Sequence, residues 1–354
     1  MRAKIIGTGS YIPEIVIPND TFVNAQFFDE EGDKLYQNGE SILKKFESIT
    51  GIRERRYAKS NQTASDLAVI SAQAAIEDAR IDRESLDYII AAHNFGDVAH
   101  ESNRINILPS LASKVKAKLK IENPNCVAYD LPFGCPGWVE GIIQANYFMR
   151  SGDAKRCLVV GTETLSRVID PHDRDSMIFS DGSGSAVLEA TADDTGIITH
   201  KTQTYATDHI NMLNMGPSYS PYNSAPNDLY IKMQGRKVYE FALKRVPPLI
   251  KAVIDSASLP IDSIKKILIH QANEKMDTAI LERVFQLFGR ENAPEGIMPM
   301  TIGGLGNSSV ATIPTLLDLI RKNKLKEQTI EAGDLVVMAS VGAGMNINAL
   351  VYRF

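Results

Sequence analysis

AIEDARIDRESLDYIIAAHN, residues 75–94, closes a helical stretch, turns through an acidic segment containing Ser85 and runs into an apolar strand. The same order returns in VIDSASLPIDSIKKILIHQAN at 253–273, where Ser263 matches Ser85 at a distance of 178 residues. A second pair lies downstream of each. GCPGWVEGIIQANYFMRSGDAKRCLVVGTE (134–163) parallels GNSSVATIPTLLDLIRKNKLKEQTIEAGDLVVMAS (306–340), each with a glycine-led elbow, an apolar helix, a charged turn and a strand. Here Cys135 falls opposite Asn307, 172 residues on, and both offsets are near half of the 354-residue chain. The sequence therefore reads as two copies of one α/β unit. Alternating strands and helices imply sheets sandwiched by helices, and face-to-face copies bring equivalent helix mouths to their junction. The stretches 93–109 and 205–230 carry no period and read as loops, the second a connector.

Composition narrows the function class. Hydrophobic residues make up 44% and charged residues 23%, with a net charge of −5, as in an ordinary globular protein without attraction for nucleic acid or anionic membranes. The start, MRAKIIGTGSYIP, lacks the apolar segment of a signal peptide, and no run reaches the length of a membrane span. Three cysteines do not make a disulfide framework. A cytoplasmic protein without metal is the expectation, because His93, Asp97, His100 and Glu101 are not fixed to one face by any period.

Cys135 is the residue with the most chemistry. Pro136 suits a first helical position, which puts Cys135 at or beside the helix N-cap, where the dipole is expected to lower its pKa. It reads either as a nucleophile or as a small buried side chain; Cys126 and Cys157, in apolar strands, read as core. His270 ends the apolar strand KKILIH, at the edge where α/β proteins collect functional groups. Asn307 stands on the GGLGNSSV elbow, and serves either as a helix cap or as a third member of the site. Cys, His and Asn together fit two chemistries. One is a papain-like protease, although GCPGW does not match that family's local signature. The other is Claisen condensation of thioesters, with the thiol taking an acyl group and neutral His and Asn donors stabilising an enolate.

DLPFGCPG (130–137), HQAN (270–273), GNSS (306–309), GAGMNINALVYRF (342–354), IIGTGSYIPE (5–14), TGIRERR (50–56) and DPHDRDSMIFSDGSGSAVLEA (170–190) together resemble the ketoacyl synthase III family, the β-ketoacyl-acyl-carrier-protein synthases of the thiolase superfamily. The resemblance runs nearly end to end. It implies a five-layered αβαβα sandwich of two similar halves: residues 1–190 carrying the nucleophile, 191–230 connecting, and 231–354 carrying His and Asn. It further implies a homodimer that needs no cofactor and uses acyl-CoA or an acyl carrier protein as donor and malonyl-carrier protein as extender. Carried over, Cys135 is acylated, His270 and Asn307 drive decarboxylation, and the backbone N–H groups of Cys135 and Ala343 form the oxyanion hole.

Departures from the family bear on the substrate. Lys45 stands where a tryptophan stacks on adenine, Ile49 where an arginine lies, and Arg167 matches the other side of that clamp. Asn273 and Lys275 follow the histidine motif, with Lys275 in place of an arginine, and Leu108 marks the acyl pocket. Arg236, Lys237, Lys244 and Arg245 are the basic patch expected to meet an acidic carrier protein. AHNFGDV and PFGCPGW resemble ketosynthases of aryl-lipid (dialkylresorcinol-type) pathways. The alternatives are such an enzyme, condensation without decarboxylation, and an inactive partner subunit.

Overall fold

A computed structural model describes residues 1–354. The first sheet contains β1 (Arg2–Tyr11), β2 (Tyr88–Ala92), β3 (Val127–Leu131), β4 (Arg156–Thr164) and β5 (Asp181–Thr191). Across the sheet they run β1-β5-β4-β2-β3, with β2 parallel to both β3 and β4 and β5 antiparallel to its neighbours. The second sheet contains β6 (Gly196–Thr204), β7 (Ile264–Ile269), β8 (Leu335–Gly342) and β9 (Asn346–Arg353), in the order β6-β9-β8-β7. Its pairing repeats the first: β7 is parallel to β8, and β9 is antiparallel to β6 and β8. The longer helices are α1 (Gly39–Thr50), α2 (Ala64–Ala79), α3 (Leu111–Lys118), α4 (Gly137–Ser151), α5 (Gly235–Ser256), α6 (Glu274–Leu287) and α7 (Thr312–Arg321).

Two-residue alternation along the strands builds the layers. Ile89, Ala91, Leu158 and Val160 face α2 and α3, whose contact residues Ala68, Ala72, Leu111 and Val115 are buried against them. Their strand neighbours Ile90, Ala92, Cys157 and Val159 point the other way, onto Trp138 and Ile142 of α4 and Leu316 and Leu317 of α7. The far side of those two helices receives Leu268, Val336, Met338 and Leu350 of the second sheet. Val337, Ala339, Ile347 and Ala349 then face α5 and α6. The result is the five-layered αβαβα order. Trp138 anchors the middle layer, fully buried, with its indole N–H donating to the Val159 carbonyl at 3.3 Å.

The internal repeat is visible in detail. Short turns at Arg83–Ser85 and Ile261–Ser263 lead into β2 and β7, and α4 and α7 are the paired central helices. The second sheet has no counterpart of β3; Ile297 instead accepts the Ile267 N–H at 2.9 Å along that edge.

The connector is shorter than expected at its start. Residues 196–204 of the expected 191–230 link are β6, paired with β9 over nearly its whole length. They read as loop because Thr199, His200, Lys201, Thr202 and Gln203 do not advertise an edge strand. The 205–230 stretch also carries structure, since Leu213–Gly216 pairs antiparallel with Tyr230–Met233. In the 93–109 loop, Asp97–Val98 pairs with Ile105–Asn106. The Asp97 carboxylate fixes it by accepting from the Ser65 N–H (2.7 Å), the Ser65 hydroxyl (3.0 Å) and Lys114 Nζ (3.1 Å). No helix is long and apolar enough to cross a membrane.

Candidate active site

β3 ends at Leu131 and the chain turns sharply through Gly134, whose φ of +69° is a left-handed value that favours glycine. Pro136 is the N-cap of α4, one position earlier than a first-turn proline, so Cys135 stands just outside the helix. His270 follows β7 directly and its N–H still donates to the Ala339 carbonyl at 2.9 Å, extending the ladder by one residue. Asn307 is held by its own backbone: its N–H donates to the Ile178 carbonyl (2.9 Å) and its carbonyl accepts from the Ser180 N–H (2.8 Å).

Ser309 ties the three together. Its hydroxyl donates to the Cys135 sulfur at 3.2 Å, and its backbone N–H donates to Asn307 Oδ1 at 2.8 Å. The Thr312 hydroxyl lies 3.0 Å from the Ser309 carbonyl and 2.8 Å from His270 Nδ1. Ser309 has a φ of +52°, a conformation that costs a non-glycine residue ~1–2 kcal/mol. No protein acceptor engages Asn307 Nδ2, and no protein group engages His270 Nε2. Two polar atoms are thus left for a substrate.

The site is electrically neutral at rest. Burial pushes the Cys135 thiol up to about 11, against the pull of the Ser309 hydrogen bond. This overturns the expected dipole-lowered pKa: the loss of water around the sulfur outweighs a helix end that starts one residue away. Burial also lowers His270 to about 4, so the ring is neutral at pH 7. Burial likewise raises Glu163 to about 8, although Asn94 donates to its Oε1 through the backbone N–H at 2.9 Å and through Nδ2. Both shifts favour the neutral forms, against a thiolate–imidazolium pair of the protease kind.

The turn 342–345 closes over the elbow. A Cβ on Gly134 would lie 2.8 Å from the Ala343 nitrogen, and one on Gly342 would lie 2.5 Å from the Cys135 nitrogen. Backbone therefore packs on backbone, which brings the Cys135 and Ala343 segments side by side.

A cleft of about 560 Å³ adjoins this centre. Its lining includes Ile178, whose carbonyl holds Asn307, and Ala272, two residues past His270. Lys45, Asn273 and Arg236 line it as well, and Asn273 also caps α6 by accepting from the Met276 N–H at 3.0 Å. Arg167 does not line it; its Nη2 donates to the carbonyls of Ala58 (3.3 Å) and Lys59 (2.9 Å), and Arg174 lines the cleft together with Arg236. Lys275 is exposed on the first turn of α6 and does not line the cleft. Leu108 is 87% exposed on the 93–109 loop, so it lines no acyl pocket of its own chain. The basic patch divides: Arg236, paired with Glu240, and Lys237 lie beside the cleft. Lys244 is exposed further along α5, and Arg245 stacks on Tyr205 with 4.6 Å to the ring centroid.

Sequence reasoning missed Ser309, Thr312, Asn94, Glu163 and Arg174. Glu163 left a trace, a lone carboxylate in the apolar run LVVGTET; Ser309 left none beyond its closeness to Asn307.

The chain matches the family model for 3-oxoacyl-[acyl-carrier-protein (ACP)] synthase III over residues 129–206 and the model for its C-terminal part over 254–354. A beta-ketoacyl-[acyl-carrier-protein] synthase III of Bradyrhizobium diazoefficiens is 32% identical, covering 100% of this chain and 99% of the relative. One from Prochlorococcus marinus is 29% identical, covering 99% and 96%. The crystal structure of 3-oxoacyl-[acyl-carrier-protein] synthase III from Aquifex aeolicus superposes with a TM-score of 0.78 at 27% identity, covering 99% of this chain and 100% of that one.

Proposed function

The chain belongs to the 3-oxoacyl-[acyl-carrier-protein] synthase III family of condensing acyltransferases, and we propose that it joins an acyl group held on Cys135 to malonyl-carrier protein with loss of carbon dioxide. The observation that carries this reading is that His270 Nε2 and Asn307 Nδ2 have no protein partner, while the other ends of both side chains are linked to the thiol through Ser309 and Thr312.

In the first half-reaction the Cys135 sulfur attacks the thioester carbonyl of the donor. The carrier or coenzyme A thiol leaves and takes up the proton that Cys135 gives up. The tetrahedral oxyanion is held by the N–H groups of Cys135 and Ala343, a geometry supported by the backbone-to-backbone packing of Gly134 and Gly342. In the second half-reaction the bond to the malonyl carboxylate breaks and carbon dioxide departs. The electron pair moves to the thioester oxygen, as an enolate. With the Thr312 proton turned toward Nδ1, His270 keeps a hydrogen on Nε2 and donates it to that oxygen beside Asn307 Nδ2. A ring lowered to about 4 donates this hydrogen bond without already being cationic. The enolate carbon then attacks the acyl carbonyl, the carbon–sulfur bond breaks, and the departing Cys135 thiolate takes up a proton from solvent.

An acyl carrier protein is the proposed partner, in line with the names of the relatives, and acyl-CoA or an acyl carrier protein is the proposed donor. Arg236 and Lys237 beside the cleft support docking of an acidic carrier. A homodimer is supported by Ile105, Ile107 and Leu108, an exposed apolar run that a second copy would cover. The test supplies an acyl thioester and malonyl-carrier protein and measures carbon dioxide and β-ketoacyl product. Equal amounts of both are expected from the wild type, with no β-ketoacyl product from Cys135→Ala; product without carbon dioxide would overturn the decarboxylative scheme.

A further inference from the structure

The network around Ser309 fixes more than positions; it also fixes where one proton points. Asn94 Nδ2 carries two hydrogens. One goes to Glu163 Oε1 and the other to Ser309 Oγ, 3.0 Å away. The Asn94 backbone N–H donates to the same Glu163 oxygen at 2.9 Å, so this carboxyl grips Asn94 twice and sets the orientation of its amide. Glu163 and Ser309 are both buried, and Asn94 and Cys135 half-buried. The Ser309 oxygen thus accepts from Asn94, and its single hydrogen is free to be aimed at an acceptor. The Cys135 sulfur lies 3.2 Å from that oxygen.

We propose that Asn94 and Ser309 form a fixed hydrogen-bond relay that directs the Ser309 hydroxyl proton at the Cys135 sulfur and stabilises the thiolate each time it forms. This rests on the reading of Cys135 as the acylated nucleophile. The thiolate appears twice in that cycle, at the attack on the donor and again when the β-ketoacyl product leaves. In a site that strips water from the sulfur, a hydrogen bond to the charged form favours that form selectively. Ser309 is then a catalytic residue, because it touches the reacting atom. Asn94 and Glu163 are positioning residues that act through it. The left-handed backbone at Ser309 belongs to the same device, since it lets the residue's hydroxyl and N–H serve two different partners, Cys135 and Asn307.

The test reads the sulfur directly and needs no substrate. Alkylation of Cys135 by iodoacetamide is followed by intact mass between pH 6 and 10.5, with Cys135→Ala reporting any reaction at Cys126 and Cys157, which are buried. Ser309→Ala is expected to slow alkylation about 10-fold at a given pH below the thiol pKa, moving the profile upward by about one unit. Asn94→Leu is expected to move it the same way by less, because the serine hydroxyl then turns among several acceptors. Ser309→Gly is the second variant: glycine accepts the +52° backbone, so it removes the hydroxyl without adding strain. Acyl loading of the wild type is measured in parallel. An alkylation profile unmoved by Ser309→Ala and by Ser309→Gly would overturn the relay, whatever the loading result. A wild type that never loads an acyl group would overturn the functional reading and leave the alkylation profiles to decide the relay on their own.

Discussion

The Ser309 hydroxyl stands 3.2 Å from the Cys135 sulfur, while the N–H of the same residue donates to the Asn307 side chain at 2.8 Å. The nucleophile and one enolate donor therefore share a single mechanical support, on the elbow that opposes the cysteine elbow in the internal repeat. The two half-reactions nonetheless use different atoms, and substitutions separate them.

Asn307→Asp keeps an oxygen for the Ser309 N–H while replacing the Nδ2 donor with a carboxylate oxygen. It is expected to form acyl-Cys135 normally and to release carbon dioxide about 10²–10³-fold more slowly, as removal of one oxyanion donor does. His270→Ala is expected to behave alike. Single-turnover loading and carbon dioxide release, measured on the same samples, check both.

Gly342→Ala places a methyl 2.5 Å from the Cys135 nitrogen, and Gly134→Ala places one 2.8 Å from the Ala343 nitrogen at a left-handed φ. Each is expected to push the two backbone donors apart and cut the loading rate by roughly 10²-fold. A circular dichroism spectrum matching the wild type shows that the fold survives; unchanged loading would place the oxyanion hole elsewhere.

The pH dependence of decarboxylation follows His270. Its folded pKa of about 4 lies below the ordinary 6.5, so the ring stays neutral throughout pH 5–8. The rate from malonyl-thioester is expected to show no acid limb with a midpoint near 6.5. The same shift makes His270 a source of stability above pH 6.5 that is lost as pH falls toward 4.

Glu163 has the opposite sign. Its folded pKa of about 8 exceeds the ordinary 4.5, so the folded state holds the proton more tightly and stability falls as pH rises through that window. Asp173, raised by burial to about 6, adds to the fall at its lower end. Glu163→Gln, which carries no charge to bury, is expected to melt about 2–5 °C above the wild type at pH 8, with the gap closing near pH 5. Calorimetry at the two pH values decides it.

Arg174→Ala is expected to raise KM for the acyl donor several-fold with kcat little changed, because Arg174 lines the cleft outside the reacting centre. Arg167→Ala, in which the lost contacts are the Ala58 and Lys59 carbonyls, is expected to leave KM unmoved.

What the sequence disclosed, and what it withheld, follows from how each property is encoded. The paired turns at Ser85 and Ser263 and the apolar strands after them carry period and punctuation, so the duplicated α/β architecture was legible. Cys135, His270 and Asn307 sit at element ends, where residue type and local punctuation coincide. Ser309 and Asn94 lie 215 positions apart and meet only through tertiary packing, which no local pattern records. The thiol pKa went the wrong way for a related reason: a helix start is a local signal, whereas desolvation is the sum of every element packed around the sulfur. Arg167 and Arg174 are seven positions apart in one irregular segment, and only the fold says which of them turns toward the cleft. β6 was hidden because an edge strand with one polar face looks like a loop.

The central claim is that Cys135 carries the acyl group. Incubation with acyl-CoA and acyl-carrier donors of two to about sixteen carbons, read by intact mass beside Cys135→Ala, tests it most directly. The account predicts a single adduct of the acyl mass on the wild type and none on the variant, with one chain length preferred. No adduct from any donor, or an adduct that persists in Cys135→Ala, would contradict it.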